Sequence, residues 1–292
     1  MYLPKMEAVS DFLFFIRPRR FGKSLFLSMV ADYYDCENYK DIDEEFQGTW
    51  IAEHPLETKG KFQVLSLDFS QVVGCADNLQ DAFHVYLGIK IDAFLRKYGK
   101  YYSQKAIEAA HNAPTAGGKI AAFVGEAKEK GYQLYLIIDE YDNFTNVVLN
   151  EQGHDVYHEM THGSGFYRDV FKTFKPNFTR ILFMGVSPIT LDDLTSGFNI
   201  ATNISVHYWF NNLLGFSETD VREMIRYYQE VGRITKPEDE IIAEMKPWYD
   251  NYCFSEECYG VEPCMYNSNM VIYYMNTLIT TGRPPKDMRD PN

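Results

Sequence analysis

The chain has 292 residues, of which 46% are hydrophobic and 24% charged, and its formal net charge is −13. This length and apolar content suit one large α/β domain with a smaller helical appendage. No apolar run approaches the ~20 residues that a membrane-spanning helix needs, and no secretion signal is apparent. We therefore expect a cytoplasmic protein that does not bind membranes. The acidic balance disfavours generic nucleic-acid binding, because phosphate backbones are themselves anionic.

The first predicted unit is a buried strand that leads into a basic loop and then a helix. Residues 12–16 form an uninterrupted apolar run, which is typical of a strand buried on both faces of a parallel sheet. The loop over residues 17–24 reads R-P-R-R-F-G-K-S, and apolar residues then recur at helical spacing to near Asp35. A G-K-S sequence between a strand and a helix is typical of a phosphate-binding loop, in which backbone N–H groups surround the phosphates.

This loop supplies the predicted nucleotide contacts. Lys23 is expected to neutralise the β- and γ-phosphates, and the hydroxyl of Ser24 is expected to bind Mg²⁺. The predicted nucleotide-binding residues are Arg19, Arg20, Phe21, Gly22, Lys23, Ser24 and Leu25.

The loop departs from the usual G-x-x-x-x-G-K-[ST] pattern at its first glycine, where Arg17 stands. Glycine normally allows a tight turn there because it lacks Cβ, whereas Pro18 biases Arg17 toward extended backbone. We interpret the whole basic cluster, Arg17 included, as countercharge for a triphosphate. One of Arg19 and Arg20 is expected to compensate for the missing glycine. The alternative is a loop that Arg17 and Pro18 block, in a vestigial scaffold that binds no nucleotide.

An acidic pair ends a second predicted strand. Residues 134–138 are apolar apart from one tyrosine hydroxyl, and Asp139 and Glu140 follow directly. In P-loop NTPases an aspartate at such a strand end helps to hold Mg²⁺, so Ser24 and Asp139 are the predicted metal ligands. Glu140 is predicted to orient or deprotonate the attacking water.

A third strand is predicted over residues 180–184, between the other two in the sheet. Ser187, just after it, is a candidate sensor of the γ-phosphate or water, and a cap for a helix over residues 189–194 is an equal alternative. Residues 62–69 and 204–210 are predicted to form two further strands. Asp68, at the end of the first of these, is interpreted as a turn residue.

Two sets of side chains whose residue types can bind metals are predicted to have no metal-binding role. Residues 150–173 form a polar segment, interpreted as a solvated, mobile insertion near the nucleotide site. His154, His158 and His162 recur there at helical spacing, but glycines 163 and 165 break the pattern. The cysteines have neither a zinc spacing nor the pairing of a disulfide framework, so free thiols are predicted at Cys36, Cys75, Cys253, Cys258 and Cys264.

From residue 210 the chain is predicted to be a helical bundle. Capping boxes mark helix starts at Ser217 and Thr235, and a third helix is predicted over residues 267–278. Arg222 or Arg226 is a candidate phosphate sensor, although surface placement of both is favoured. The predicted core residues of the bundle are Trp248, Tyr249 and Tyr252.

These segments together resemble the bacterial AAA-ATPase-like family. The resemblance is carried by F-I-R-P-R-R-F-G-K-S-L-F-L-S-M, L-I-I-D-E-Y-D, I-L-F-M-G-V-S-P-I, S-G-F-N, L-G-F-S-E-T-D-V, W-Y-D-N-Y and a later Y-N-S. It implies an α/β fold, the three-layer α/β/α sandwich of P-loop NTPases with a mostly parallel sheet, followed by a C-terminal helical lid. We place the ATPase core at residues 1–210 and the lid subdomain at 211–292.

The resemblance also implies a nuclease-like PD-(D/E)xK domain, which often follows in this family. The chain is expected to be truncated or an ATPase-only member, because its final D-P-N is similar to the entry of such a domain. A segment that usually ends in Y-V-D-K-T before the first strand is replaced here by residues 2–6.

The sequence as a whole predicts an ATP-binding, Mg²⁺-dependent ATPase with a non-standard Walker A loop, R-P-R-R-F-G-K-S, and the Walker B strand L-Y-L-I-I-D-E. The alternative is a nucleotide-binding switch with little or no hydrolysis. Such a switch would act on an unknown protein partner or on the missing C-terminal domain. Base specificity, an arginine finger and the oligomeric state are left open.

Overall fold

The computed structural model describes residues 1–38, 41–72, 78–161, 166–187 and 201–289. By their contacts, the residues form two compact units. Met1–Ile16 and Ser24–Thr202 make up the first unit, and Arg17–Lys23 and Asn203–Asn292 make up the second. The placement of a core at residues 1–210 and a lid at 211–292 stays a prediction.

The first unit is built on a parallel sheet in the strand order β2-β3-β4-β1-β5. The strands are β1 (Phe12–Ile16), β2 (Phe62–Asp68), β3 (Gln133–Asp139), β4 (Arg180–Gly185) and the short β5 (Thr202–Asn203). β4 pairs in parallel with both β1 and β3, so the carboxyl ends of these three strands lie at one edge. This arrangement confirms the predicted α/β fold with a mostly parallel sheet and the insertion of the third predicted strand between the other two.

Helices cover the sheet because its strands are apolar on both faces. Leu13, Phe14 and Phe15 are consecutive in β1 and all buried, so neither face of that strand is open to water. The helices of the first unit are α1 (Tyr2–Val9), α2 (Lys23–Tyr34), α3 (Ile42–Glu45), α4 (Trp50–Glu53), α5 (Leu79–Tyr98), α6 (Gln104–Asn112), α7 (Ala116–Glu129), α8 (Asn143–Gln152), α9 (His154–Thr161) and α10 (Phe166–Phe174). None of the helices in the described ranges is long and apolar enough to cross a bilayer.

The segment after β3 differs from its predicted form. Residues 150–173 were expected to be a solvated insertion, but their described part is helical and contributes to the core of the first unit. Tyr157, Met160, Tyr167 and Phe171 are buried in one cluster with the apolar residues of β3 and β4. The aromatic residues at helical spacing outweigh the polar residues between them, because burying them removes a large apolar area from water.

The second unit combines three helices with a short antiparallel ladder. Its elements are α11 (Glu218–Glu230), α12 (Glu238–Tyr249), β6 (Asp250–Tyr252), β7 (Met265–Tyr266) and α13 (Ser268–Thr281). Val221, Ile241 and Tyr274 come from the three different helices and are all 0% exposed, which gives this unit its own core. The predicted capping box at Ser217 is confirmed by reciprocal hydrogen bonds with Asp220.

Three expectations for the second unit are wrong. Residues 204–210 do not form a strand, because the side chain of His207 accepts a hydrogen bond from the N–H of Trp209 and caps a 3₁₀ turn over Tyr208–Phe210. α12 has no side-chain cap at its start, where Pro237 rather than Thr235 is the capping residue. Trp248 is 55% exposed and so lies outside the core.

Candidate functional site

Two predicted site residues from distant parts of the chain are in direct contact. Ser24 lies in the first turn of α2, and Asp139 is the last residue of β3. The Oγ of Ser24 donates a hydrogen bond to Oδ2 of Asp139 over 2.5 Å, across 115 residues of sequence. The carboxylate is 8% exposed, and the serine is exposed. The pair therefore lies where the carboxyl edge of the sheet meets solvent.

Glu140, next to this pair, has an uncommon backbone conformation. Its φ is +50°, in the left-handed region that side chains other than glycine seldom adopt. Its N–H donates to Oδ1 of Asp139 over 2.9 Å, and its carbonyl accepts from the N–H of Asn143 over 2.9 Å. The turn from β3 into α8 is thus held from both sides, which stabilises the strained residue.

The same turn is tied to the end of β4. Asp142 is 1% exposed. Its carboxylate accepts hydrogen bonds from the N–H groups of Val186, at 3.2 Å, and Ser187, at 2.6 Å. The hydroxyl of Tyr141 donates to the carbonyl of Ser187. A Cβ on Gly185 would lie 2.5 Å from Oδ1 of Asp142, so the two segments approach this closely only with glycine there.

The backbone of Ser187, the candidate sensor, is therefore fixed at the carboxyl end of the sheet. The alternative reading of this serine, a cap for a helix over residues 189–194, falls outside the described residues. Sequence reasoning missed Asp142. The D-E-Y-D sequence places it directly before a helix, but its carboxylate makes no cap hydrogen bond there, so the capping rule does not reveal its contacts with Val186 and Ser187.

In the second unit, the buried side chain of Arg17 holds the first residue of the predicted phosphate loop in place. The side chain is 1% exposed, and its guanidinium donates to the carbonyls of Ser205, at 2.8 Å, and Phe210, at 2.7 Å. The guanidinium also stacks on the ring of Phe254, 3.8 Å from its centroid. The expectation that the charge of Arg17 serves a triphosphate is wrong, because backbone carbonyls already bind it in the protein interior.

Phe21 is a second anchor of the loop. It is 1% exposed, and its ring makes edge contacts with Tyr252 and Phe254, with centroids 4.8 and 5.6 Å apart. Gly215 provides the space, because a Cβ there would come within 3.0 Å of the Phe21 ring. The aromatic side chain is thus packed inside the unit.

The start of α13 binds the carbonyl groups of the loop. The carbonyl of Arg19 accepts from Nδ2 of Asn267 over 3.2 Å. The carbonyl of Arg20 accepts from the N–H of Asn269 over 3.2 Å and from the hydroxyl of Ser268 over 3.3 Å. Arg20 itself has φ +70°, and Gly22 has φ +87°.

The remaining loop residues differ in exposure. Lys23 is 5% exposed, and its ammonium group donates to the carbonyl of Pro18 over 3.1 Å. Arg19, Arg20 and Gly22 are exposed. Leu25, one residue into the helix from Ser24, is 68% exposed.

Other candidates from the sequence lie in structural roles. Asp68 caps the turn after β2, as predicted, and accepts from the N–H and hydroxyl of Ser70. Arg222 and Arg226 pair with acidic side chains at the surface, both of them with Glu238. Within the described residues, no group of three or more His, Cys, Asp or Glu side chains is arranged to hold a metal.

The histidine and cysteine predictions are only partly covered by the structure. His154 and His158 are exposed on α9, and His162 lies outside the described residues. The described cysteines Cys36, Cys253, Cys258 and Cys264 are free thiols, as predicted. Cys75 lies outside the described residues.

Comparisons with known proteins cover most of the chain. A family model described as Predicted AAA-ATPase matches residues 1–195. A protein of Azotobacter chroococcum mcd 1, described as an uncharacterized protein in the vnfD 5' region, is 25% identical over 251 residues. The alignment covers 84% of this chain and 42% of that relative, so the chain spans less than half of the relative's length. No solved structure matches. The matched residues hold the R-P-R-R-F-G-K-S loop and the acidic end of β3, and the chain belongs to the Predicted AAA-ATPase family, a membership that implies nucleotide binding.

Proposed function

We propose that the protein binds ATP together with Mg²⁺ and hydrolyses it. The observation that carries this proposal is the hydrogen bond between Ser24 and Asp139. In P-loop NTPases, the serine of the G-K-S sequence and an aspartate at a strand end both belong to the Mg²⁺ site. The fold of this chain brings the matching pair together from positions 115 residues apart.

The donor atoms of this pair suit Mg²⁺. Hydroxyl and carboxylate oxygens are hard ligands, and Mg²⁺ is usually held by one or two carboxylates together with substrate phosphates. The described residues offer no metal-binding group of three or more acidic, histidine or cysteine side chains. An ion that relies in part on phosphate oxygens fits such a site. When bound, Mg²⁺ would neutralise charge on the β- and γ-phosphates.

Two features of the loop support phosphate binding. Carbonyl oxygens repel phosphate, and those of Pro18, Arg19 and Arg20 are occupied by donors within the second unit. Positive φ at Arg20 and Gly22, on either side of Phe21, supports a loop whose N–H groups turn toward a common point. Lys23 would add positive charge there, and its bond to Pro18 keeps the loop folded around its side chain.

Glu140 is the proposed base or orienting group for water. It follows the Mg²⁺ aspartate directly, and its strained turn is held by hydrogen bonds on both sides. These bonds fix the backbone of Glu140, and its carboxylate would align a water molecule or accept its proton. Ser187, whose backbone is fixed by Asp142 and Tyr141, is the proposed sensor.

A second candidate function is a nucleotide-controlled switch with slow or absent hydrolysis. The observation that favours it is the anchoring of Arg17–Lys23 in the second unit, through Arg17 and Phe21. A ligand bound to this loop would directly affect the residues of the second unit that contact Arg17 and Phe21. An unknown protein partner or a further domain would then be the receiver of the signal.

One pair of experiments separates the two functions from a scaffold that binds nothing. Titration calorimetry of the full chain with ATP and Mg²⁺ measures binding, and Lys23→Ala is the control expected to abolish it. Single-turnover phosphate release then distinguishes an ATPase from a switch. Absence of binding by the wild-type chain would reject both functions.

A further inference from the structure

Two cysteines of the second unit lie directly next to the last residue pair of its antiparallel ladder. β6 and β7 pair so that Tyr252 lies opposite Met265. The register shifts between Asp250 and Tyr252, so the last regular pair is Tyr252 with Met265. Cys253 directly follows Tyr252 and Cys264 directly precedes Met265, and continuing the antiparallel course from this pair would set the two cysteines opposite each other. Directly opposed residues have Cα atoms about 4.5–5.5 Å apart, within the range of about 4.4–6.8 Å that a disulfide spans. We propose that Cys253 and Cys264 are a redox modification site that forms a reversible disulfide.

The surroundings of the two thiols support this pairing. Both are half-buried and free, so a small oxidant can reach them. Burial, the Asp250 carboxylate and the sulfur of Cys253 raise the pKa of Cys264, and burial and the sulfur of Cys253 also raise the pKa of Cys258, so both thiols lie near Cys253. The third thiol in this region, Cys258, is 4% exposed and donates to the carbonyl of Tyr208 instead.

The oxidant is a low-molecular-weight disulfide of the glutathione type. The thiolate of Cys253 attacks one of its sulfurs and releases the first small thiolate, which leaves a mixed disulfide on the protein. The thiolate of Cys264 then attacks the sulfur of Cys253 and releases the second small thiolate. Two protein thiols are oxidised to one disulfide, and the small disulfide is reduced to two thiols, which take up the two protons.

The disulfide would restrain the surface on which the predicted phosphate loop rests. Tyr252 and Phe254, the neighbours of Cys253, both contact the ring of Phe21, and Phe254 also stacks on Arg17. In the reduced protein, the Sγ of Cys253 donates to the carbonyl of Ser255 over 3.3 Å. A covalent link to Cys264 would tie this segment to β7 and reduce the opening motions of the loop. The inference does not depend on nucleotide binding.

The test is a peptide map of the full chain. Reduced protein is equilibrated with glutathione buffers of graded redox ratio, the free thiols are blocked, and the protein is unfolded and digested with a chymotrypsin-type protease. Cleavage after Phe254 and Tyr259 separates Cys253, Cys258 and Cys264 into different peptides. We expect a Cys253–Cys264 link and the loss of two free thiols, in the wild type and in Cys258→Ser alike. A link to Cys258, or no link at any redox ratio, would overturn the proposal.

Hydrogen exchange tests the effect on the loop. The backbone amide hydrogens of peptides covering residues 17–23 should exchange several-fold more slowly in the oxidised wild type than in the reduced one. The reason is that Tyr252 and Phe254, which contact the ring of Phe21, would move away from it less often. The variant Cys264→Ser should show the same exchange rates in both buffers. Equal rates in oxidised and reduced wild type, with the disulfide present, would refute the restraint of the loop.

Discussion

The guanidinium of Arg17 donates a hydrogen bond to the carbonyl of Phe210 over 2.7 Å, and a second one to that of Ser205. Arg17 stands where a phosphate-binding loop usually has its first glycine. In this chain the position is therefore an anchor in the second unit and not a tight turn. The contacts of the buried Arg17 and Phe21 side chains hold the loop in its conformation. The replacement of the first glycine by Arg17 therefore does not indicate that a nucleotide site has been lost.

Restoring the usual glycine should harm the protein. Each hydrogen bond to a charged group contributes about 1.5–3 kcal/mol, so Arg17→Gly should lower the free energy of unfolding by about 3 kcal/mol or more. It also leaves two carbonyls without their donors and removes the stacking on Phe254. Urea unfolding followed by circular dichroism measures the loss. Arg17→Lys keeps the charge but not the forked geometry, so its free energy of unfolding should lie between those of the wild type and Arg17→Gly.

A glycine variant with unchanged stability and tighter ATP binding would contradict this account. That result would mean that Arg17 obstructs the loop, as the vestigial-scaffold alternative supposes.

The sheet and the Ser24–Asp139 pair were predictable for a simple reason. Residues 12–16, 134–138 and 181–184 are largely apolar runs that end at turn or site residues, as buried parallel strands do. Parallel strands end at a common edge, so residues that follow them converge. The pairing of Ser24 with Asp139 follows from this geometry.

The anchoring of the loop was not predictable in the same way. The partners of Arg17 are backbone carbonyls at Ser205 and Phe210, and a carbonyl has no sequence signature. The aromatic run around Phe210 is typical of a strand, yet it forms a 3₁₀ turn in which the side chain of His207 accepts a capping hydrogen bond from the N–H of Trp209. Side-chain-to-backbone bonds of this kind escape any analysis of hydrophobic periodicity.

The hydroxyl of Ser24 should matter only when Mg²⁺ is present. Ser24→Ala removes a proposed ligand of the ion, so ATP affinity measured with Mg²⁺ should fall by about tenfold or more, while affinity measured in a chelator should change little. Calorimetric titrations in the two buffers give both values. Ser28→Ala is the matched control, because Ser28 is an exposed serine of the same helix that bonds only locally to Leu25 in the described contacts. Equal losses in the two buffers would remove Ser24 from the metal site.

Glu140→Gln should separate binding from hydrolysis. The amide keeps the size of the side chain but cannot accept a proton, so phosphate release should slow by about 100-fold or more while ATP affinity is retained. Single-turnover phosphate release and titration calorimetry measure the two quantities. Glu129→Gln, an exposed change at the end of α7, should leave both unchanged. Undiminished turnover in the Glu140 variant would deny this residue its catalytic role.

The contribution of the exposed Arg20 to ATP binding can be compared with that of Lys23. We expect Lys23→Ala to abolish measurable ATP binding and Arg20→Ala to weaken it by about tenfold, because one more positive charge near a polyphosphate contributes roughly 1–2 kcal/mol. Arg20 has φ +70°, so a change in its side chain also changes the backbone strain. Arg20→Gly separates these effects: it relieves the strain and removes the charge. If charge is what matters, Arg20→Gly and Arg20→Ala should bind ATP equally weakly although the glycine variant is the more stable of the two. Unchanged affinity in both variants would show that Arg20 contributes only its carbonyl, which the start of α13 binds.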